Sequence, residues 1–66
     1  MNTTFKYNWG QEVLVIKSAP ADIHPGRKGS VCGLRELGSR NLYLIEFSDG
    51  QAVEILEDLL ESIEDE

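Results

Sequence analysis

Residues 42–56, LYLIEFSDGQAVEIL, constrain the fold of this chain more than any other stretch. Two runs of residues that favour extended backbone flank Ser48-Asp49-Gly50. Asp-Gly is a strong signature of a tight turn, because glycine accepts a positive φ. The pattern therefore predicts a β-hairpin, with one strand at about residues 42–47 and the other at about residues 51–55.

Two glutamates in this hairpin, Glu46 and Glu54, set which side chains face inward. Successive side chains alternate across a strand, so if both glutamates face water, the opposite face forms the core. The predicted core side chains are Tyr43, Ile45, Phe47, Val53 and Ile55, with Val13, Val15 and Val31 as their complements. A second apolar face is left over, which predicts either a sheet that curls until it is covered or a binding surface such as a homodimer contact. Its members are Leu14, Ile16, Leu42 and Leu44.

The residues before the hairpin predict two further strands joined by a long loop. EVLVIKS is rich in β-branched residues and predicts a strand at about residues 11–18. APADIHPGRKG contains two prolines, which disfavour helix, so it is predicted to be an ordered loop in which Pro25 and Gly26 turn the chain. SVCGLRE resumes a strand at about Ser30. Gly33 inside that strand indicates either a β-bulge or a sharply coiled strand, and we favour the coiled strand.

The last segment, EILEDLLESIEDE, has two interpretations. Its apolar residues recur at helical spacing, which indicates a short amphipathic helix. The alternative is a 3₁₀ turn at residues 57–59 followed by a short strand at residues 60–63. The segment is short for an autonomous helix, and a sheet of four strands would leave two open edges, so we favour the turn and the strand.

The size of the chain limits what it can enclose. A chain of 66 residues forms one domain at most, and such a chain buries only about 60% of the surface that its unfolded form exposes. The single cysteine excludes an internal disulfide, and no Cys and His cluster supplies metal ligands, so no metal or other cofactor is predicted. The longest apolar run is far shorter than the roughly 20 residues of a membrane span, and we expect a cytoplasmic protein.

Charge is distributed unevenly along the chain. Residues 54–66 hold seven acids and no base, whereas residues 1–53 hold five acids and six bases, so the net charge of −6 divides into about +1 and −7. An acidic end opposes polyanions at long range, and it is either a solvated tail, which we favour, or a surface that mimics nucleic acid or meets a basic partner.

The order of four motifs resembles the small SH3-like barrels, including KOW-type domains and short bacterial proteins built on the same plan. The motifs are WGQEVLVIKS, PGRKGSVCGL, YLIEFSDGQAVEI and LEDLLESI, over roughly residues 9–63. The resemblance implies an all-β fold, a small five-stranded barrel with a short 3₁₀ turn before the last strand. Residues 1–10 then form an N-terminal aromatic segment, residues 11–63 the barrel and residues 64–66 an acidic tail. The chain lacks the aromatic-rich groove of peptide-binding SH3 domains, so binding of proline motifs is not carried over.

Catalytic sites find little support in the sequence. PGRKGS matches no phosphate-binding pattern and is followed by a strand rather than a helix. His24 lies in a proline-bounded loop and Cys32 in the middle of a strand, and no orienting acid or oxyanion donor can be named for them, so we do not expect an enzyme. FKYNWG places Phe5, Tyr7 and Trp9 on one face if the segment is extended, where they would cover the end of the barrel or anchor a partner.

The predicted function is therefore a non-catalytic protein-interaction module, such as an inhibitor or immunity-type protein that occludes a basic partner. The candidate partner-binding residues are Tyr7, Trp9, Arg27, Lys28, Arg35, Glu57, Asp58 and Glu61. One alternative is a KOW-like module that binds RNA or the ribosome through Arg27, Lys28, Arg35 and Arg40. Another is an accessory subunit whose sheet edge pairs with a larger enzyme chain.

Overall fold

The computed structural model describes residues 4–63, which form an all-β fold. Its strands are β1 (Glu12–Val15), β2 (Lys28–Leu37), β3 (Arg40–Phe47), β4 (Ala52–Leu56) and β5 (Leu60–Ser62). Two 3₁₀ turns, Ala21–Ile23 and Glu57–Leu59, complete the secondary structure of this range. The strands form one open antiparallel sheet in the order β4-β3-β2-β1-β5. No helix in residues 4–63 is long and apolar enough to cross a membrane.

The predicted hairpin is confirmed as β3 and β4. The Phe47 amide donates to the Gln51 carbonyl at 2.8 Å, and the Gly50 amide donates back to the Phe47 carbonyl at 2.9 Å. Gly50 has a φ of 89°, the left-handed conformation that glycine accepts most readily. Glu46 and Glu54 are exposed as predicted.

The predicted core is also confirmed, with one member at its margin. Tyr43, Ile45, Phe47 and Ile55 are buried together with Val13, Val15 and Val31, whereas Val53 is partly buried and packs against this cluster. The predicted second apolar face is confirmed only in part. Leu42 is buried outside the core cluster, Leu14 is partly buried and Leu44 is exposed, whereas Ile16 packs against the core. Ile16 follows the last residue of β1, where its amide bonds to the Leu59 carbonyl instead of continuing the strand.

β1 is shorter than the sequence predicts. The strand was expected to reach residue 18, but it ends at Val15. The Ala19 amide donates to the Ile16 carbonyl at 3.1 Å, so a turn closes where the β-branched run ends. The turn brings the Ala19 side chain into the core.

The interpretation of Gly33 as a coiling position without a bulge is wrong. Val31 pairs with Ile45, but Gly33 pairs with Leu44, so the register shifts by one residue and Cys32 is the extra residue of a β-bulge. A Cβ at Gly33 would lie 3.0 Å from the Leu44 Cβ. The bulge therefore brings the two strands closer here than most side chains allow.

The C-terminal prediction is confirmed. The 3₁₀ turn Glu57–Leu59 leads directly into β5, which pairs with β1 and ends at Ser62, one residue earlier than predicted. The Leu60 amide donates to the Glu57 carbonyl as the turn closes. The acidic tail predicted at residues 64–66 lies outside the described residues.

The N-terminal aromatic side chains do not share one face. Tyr7 is 1% exposed and belongs to the core, Phe5 is partly buried, and Trp9 is 67% exposed. The backbone bends at Tyr7, and a turn closes where the Gln11 amide donates to the Asn8 carbonyl at 3.0 Å. The segment is therefore not extended, and the turn carries Trp9 away from the other two rings.

Candidate functional site

A groove crosses the outer face of the sheet, opposite the core. Glu12 on β1 and Glu46 on β3 both pair with Ser30 on β2, so the three side chains stand in one row. The groove has a volume of about 460 Å³, within the roughly 300–1,000 Å³ of small-ligand clefts. We call it the charged groove, and it is lined by Glu12, Arg27, Lys28, Gly29, Ser30, Glu46, Phe47 and Ser48.

The charged groove carries both signs of charge. Glu12, Glu46, Arg27 and Lys28 are all exposed. Among residues 4–63, the one ion pair joins Arg35 to Glu54, which lies outside the groove. The two acids and two bases of the groove therefore have no ion-pair partner within this range and can meet charges of another molecule.

Phe47 supports the basic side of the groove. The His24 ring meets it edge-on with centroids 4.8 Å apart, and the Arg27 guanidinium carbon lies 5.8 Å from its centroid, within cation–π range. His24 and Arg27 flank a turn that has Pro25 and Gly26 at its centre, as predicted. Gly26 has a φ of 81°, and the Arg27 amide donates to the His24 carbonyl at 3.2 Å, which is the pattern of a type II turn.

Gly29 makes the close approach of β2 to β3 possible beneath the groove. A Cβ at this position would lie 2.4 Å from Ile45 Cγ2 and 2.9 Å from the Glu46 carbonyl oxygen. Only glycine therefore fits without a shift of the strand. Core packing beneath the groove fixes the spacing of the charged side chains above it.

A second group of polar residues lies at the other end of the sheet and is largely internal. Glu57 accepts hydrogen bonds from the Tyr43 hydroxyl, from Asn41 Nδ2 at 3.1 Å and from the Lys6 amide at 3.1 Å. The Tyr43 hydroxyl also accepts from the amides of Lys6 at 2.8 Å and Tyr7 at 3.2 Å. We call Asn41, Tyr43 and Glu57, with the backbone of residues 4–7, the buried cluster. It ties the N-terminal segment to β3 and to the second 3₁₀ turn.

The pKa values in the buried cluster reflect these bonds. Burial by itself would raise the pKa of the Glu57 carboxyl, but the hydrogen bonds from Tyr43, Asn41 and Lys6 outweigh it and hold that pKa below its ordinary 4.5. Burial raises the pKa of the Tyr43 hydroxyl above its ordinary 10.0, and the bond to Glu57 raises it further. The cluster therefore holds a carboxylate and a neutral phenol at neutral pH.

The structure divides the predicted partner-binding residues. Arg27 and Lys28 line the charged groove. Tyr7 is a core residue, and its hydroxyl donates to the Leu60 carbonyl at 3.1 Å, so its ring is not available to a partner. Glu57 is engaged in the buried cluster. Arg35 holds Glu54 by two hydrogen bonds, Nε to Oε2 at 2.8 Å and Nη2 to Oε1 at 2.9 Å.

The other predicted residues lie on separate surfaces. Trp9 is exposed in the turn before β1. Asp58 lines a polar hollow of about 190 Å³ together with Arg40 and with Glu57, which is the one predicted partner-binding residue that it meets there. Glu61 is exposed on β5, opposite Leu14. The structure does not gather these side chains with Arg27 and Lys28 into one site.

Sequence reasoning missed the carboxylates of the charged groove. Glu46 served only to set the phase of the hairpin, and Glu12 received no role. The alternation rule places Glu46 on the outer face, and the same rule does so for Glu12 because Val13 faces the core. The rule does not give the register between the strands, which places Glu12 and Glu46 on either side of Ser30. Counting back from the turn between β2 and β3 without the Cys32 bulge would place Ser30 opposite Phe47, so no local signal supplies this register.

Comparison of the chain with protein-family models, with curated proteins and with solved structures gives no match in any of the three. Within residues 4–63, no group of three or more His, Cys, Asp or Glu side chains is placed to hold a metal ion. A role for this chain therefore has to be argued from the geometry of its own surface.

Proposed function

We propose that the chain is a non-catalytic protein-interaction module of the SH3-like barrel type, which binds a basic segment of a protein partner in the charged groove. The observation that carries this proposal is the row of Glu12, Ser30 and Glu46, in which two exposed carboxylates flank a small hydroxyl side chain. The acids of this row have no ion-pair partner among residues 4–63.

The spacing of this row suits one basic side chain. Neighbouring strands lie about 4.8 Å apart, so the backbones of Glu12 and Glu46 are roughly 10 Å apart with Ser30 between them. A lysine ammonium or an arginine guanidinium above Ser30 reaches both carboxylates. Charge-assisted hydrogen bonds of this kind are roughly twice as strong as neutral ones.

The basic side of the groove narrows the class of partner. Arg27 and Lys28 line the same groove as the two carboxylates, so the groove presents charges of both signs. A polypeptide can match this with carbonyls or acids next to its basic residue, whereas a phosphate backbone would meet Glu12 and Glu46. Arg35 is held by Glu54, and Arg40 lines a hollow that Asp58 and Glu57 also line. One of the four bases of the RNA-binding alternative is thus already paired with an acid, and a second shares its hollow with two acids.

The strand arrangement supports the SH3-like part of the proposal. β1 lies between β2 and β5, and a 3₁₀ turn leads from β4 directly to β5. β2 spans ten residues, pairs with β1 only at its start, and bends at the Cys32 bulge. A strand of this kind allows one sheet to curl toward a barrel.

The net charge of −6 supports a partner with a basic surface, because long-range attraction speeds association with such a surface. An inhibitor or immunity-type role, in which the module covers a basic site on an enzyme, is the form of this function that we propose. We also propose a cytoplasmic location, and the free thiol of Cys32 supports it.

Selection from a phage-displayed library of linear peptides tests the proposal. Peptides that bind the wild-type chain should be enriched in lysine or arginine, and the double variant Glu12→Gln, Glu46→Gln should lose them. Asp22→Asn is the matched control, because it removes an exposed carboxylate outside both the groove and β2. If the selected peptides bind the double variant as well as they bind the wild type, the groove is not the site.

A filter-binding titration with homopolymeric RNA at low salt distinguishes the proposed function from the RNA-binding alternative. Under our proposal the wild-type chain retains no RNA. If RNA is retained and Arg27→Gln, Lys28→Gln abolishes its retention, the RNA-binding function replaces the one proposed here.

A further inference from the structure

β2 extends beyond β1 and leaves a free edge. β1 pairs with Lys28, Gly29 and Ser30, and the segment before β1 adds hydrogen bonds only to Val31. Beyond the bulge, β2 has β3 on one side, and no strand of residues 4–63 lies on its other side. An open edge of this kind presents backbone N–H and C=O groups to which another strand can pair.

The turn after β2 determines which backbone groups face the free edge. A two-residue loop joins β2 to β3, so Leu37 and Arg40 form its closing hydrogen-bonded pair. Along an antiparallel strand, the N–H and C=O of one residue point to the same side, and successive residues alternate. Arg35 therefore bonds to β3 as Leu37 does. The backbone groups of Leu34 and Glu36 point to the free edge.

Exposed apolar side chains gather at the same place. The large hydrophobic side chains exposed in residues 4–63 number four, and three of them are Leu34 at 37%, Leu37 at 57% and Leu44 at 37%. Leu44 lies opposite Gly33, and both line a hollow of about 200 Å³ that Leu34 and the paired Arg35 and Glu54 complete. Since Gly33 has no side chain, a neighbouring strand could place a side chain over this position.

We propose that this edge is a dimer interface, in which two copies of the chain pair their β2 strands antiparallel about a twofold axis at Arg35. In this register Leu34 of each copy is opposite Glu36 of the other, and both residues use the backbone groups that face the free edge. Leu37 of each copy then stands opposite Gly33 of the other, where its side chain occupies the hollow beside Leu44.

A second copy fits this edge because the edge is complementary to itself. A twofold interface requires that one patch supply both halves of each contact. Here the most exposed leucine and the hollow lie at equal distances on either side of Arg35. The two Arg35 side chains would face each other at the axis, but each is held by Glu54 across β3, which draws the charge away from the edge.

Sedimentation equilibrium of the full chain at about 0.15 M salt tests the interface. The wild type should show a monomer–dimer equilibrium, and Leu37→Lys should raise its dissociation constant at least about tenfold, because a leucine leaves the interface from both copies. Trp9→Lys is the control, since it removes a larger exposed apolar side chain outside β2 and should leave the constant unchanged. A wild type that stays monomeric at millimolar concentration, or a dimer that Leu37→Lys does not weaken, would overturn the proposal.

Disulfide cross-linking tests the register separately. In a Cys32→Ser background, Arg35→Cys places two thiols on the axis, at a Cα separation of about 4.5 Å that a disulfide accepts. Glu36→Cys in the same background places the two Cα atoms about 8 Å apart, which is too far. We expect a linked dimer from the first variant and not from the second. The reverse result, or linkage from neither, would refute a twofold axis at Arg35.

Discussion

Glu57 and Glu46 carry the same carboxylate but are placed in opposite environments. Glu57 lies in the buried cluster, where three groups donate hydrogen bonds to it. Glu46 lies in the charged groove, where it is exposed and has no ion-pair partner among residues 4–63. The half-buried, hydrogen-bonded carboxylate of Glu57 therefore stabilises the fold, whereas the exposed carboxylate of Glu46 is free to meet charges of another molecule.

This contrast changes how the acidic character of the chain is understood. Sequence alone places Glu57 in an acidic end that meets a basic partner, together with Asp58 and Glu61. In the structure Glu57 is hydrogen-bonded within the fold, whereas two earlier acids, Glu12 and Glu46, are exposed and aligned on either side of Ser30. If this division is right, variants in the two regions should separate stability from binding.

The largest expected effect is at Tyr7. Its ring is buried and packs edge-on against Tyr43, with centroids 5.3 Å apart. Tyr7→Ala should lower the free energy of unfolding by about 3–5 kcal/mol, because it leaves a large cavity in a small core. Urea denaturation followed by circular dichroism measures the change. Trp9→Ala, at an exposed position two residues later, should stay within about 0.5 kcal/mol. Equal losses at the two positions would contradict the burial described here.

The next effect is at Glu57. Glu57→Gln keeps the shape of the side chain but replaces the charged acceptor, so we expect a loss of about 1–3 kcal/mol in the free energy of unfolding. Glu46→Gln is the matched control and should change it by less than about 0.5 kcal/mol. Both values come from urea denaturation at neutral pH. A larger loss from the Glu46 variant would reverse the comparison.

A smaller effect is expected from pH. Because the pKa of Glu57 is held below its ordinary 4.5, its carboxylate stabilises the fold above that pH, and this contribution is lost as the pH falls from 4.5 through the lowered pKa. The Tyr43 hydroxyl stabilises the fold in its neutral form, because its pKa is raised in the folded state. This contribution to the free energy of unfolding is present below pH 10.0 and is lost as the pH rises through the raised pKa. Unfolding free energies measured between about pH 7 and about pH 3 should fall less steeply for Glu57→Gln than for the wild type. If the unfolding free energies of the two proteins fall in parallel with pH, Glu57 is not responsible for the loss of stability in acid.

The smallest expected effect on stability comes from the charged groove itself. The double variant Glu12→Gln, Glu46→Gln should unfold within about 0.5 kcal/mol of the wild type, since both side chains are exposed. Thermal unfolding measures this in the same samples that are used for peptide binding. If the double variant keeps its stability but no longer binds the selected peptides, the groove carboxylates act in binding alone. A variant that unfolds would instead place these carboxylates among the structural residues.

The strands and turns of this protein were largely predictable because their signals are local. Alternation around Glu46 identified the inward residues of the hairpin, and the Asp-Gly and Pro-Gly pairs located two turns that the structure confirms. The bulge at Cys32 was not predictable in this way. A glycine in a strand is compatible with either a bulge or a coil, and the choice depends on how β3 packs against it.

The sequence by itself determined the all-β class, the hairpin, the core residues of its strands and the 3₁₀ turn before the last strand. Only the tertiary structure decided that Tyr7 enters the core, that Glu57 belongs to a buried cluster, and that Glu12 and Glu46 flank Ser30. The hydrogen bond from the Lys6 amide to the Tyr43 hydroxyl spans 37 residues, and the one from Tyr43 to Glu57 spans 14. Contacts of that range depend on the register of the whole sheet, because a shift of one residue would move every side chain of a strand to the opposite face.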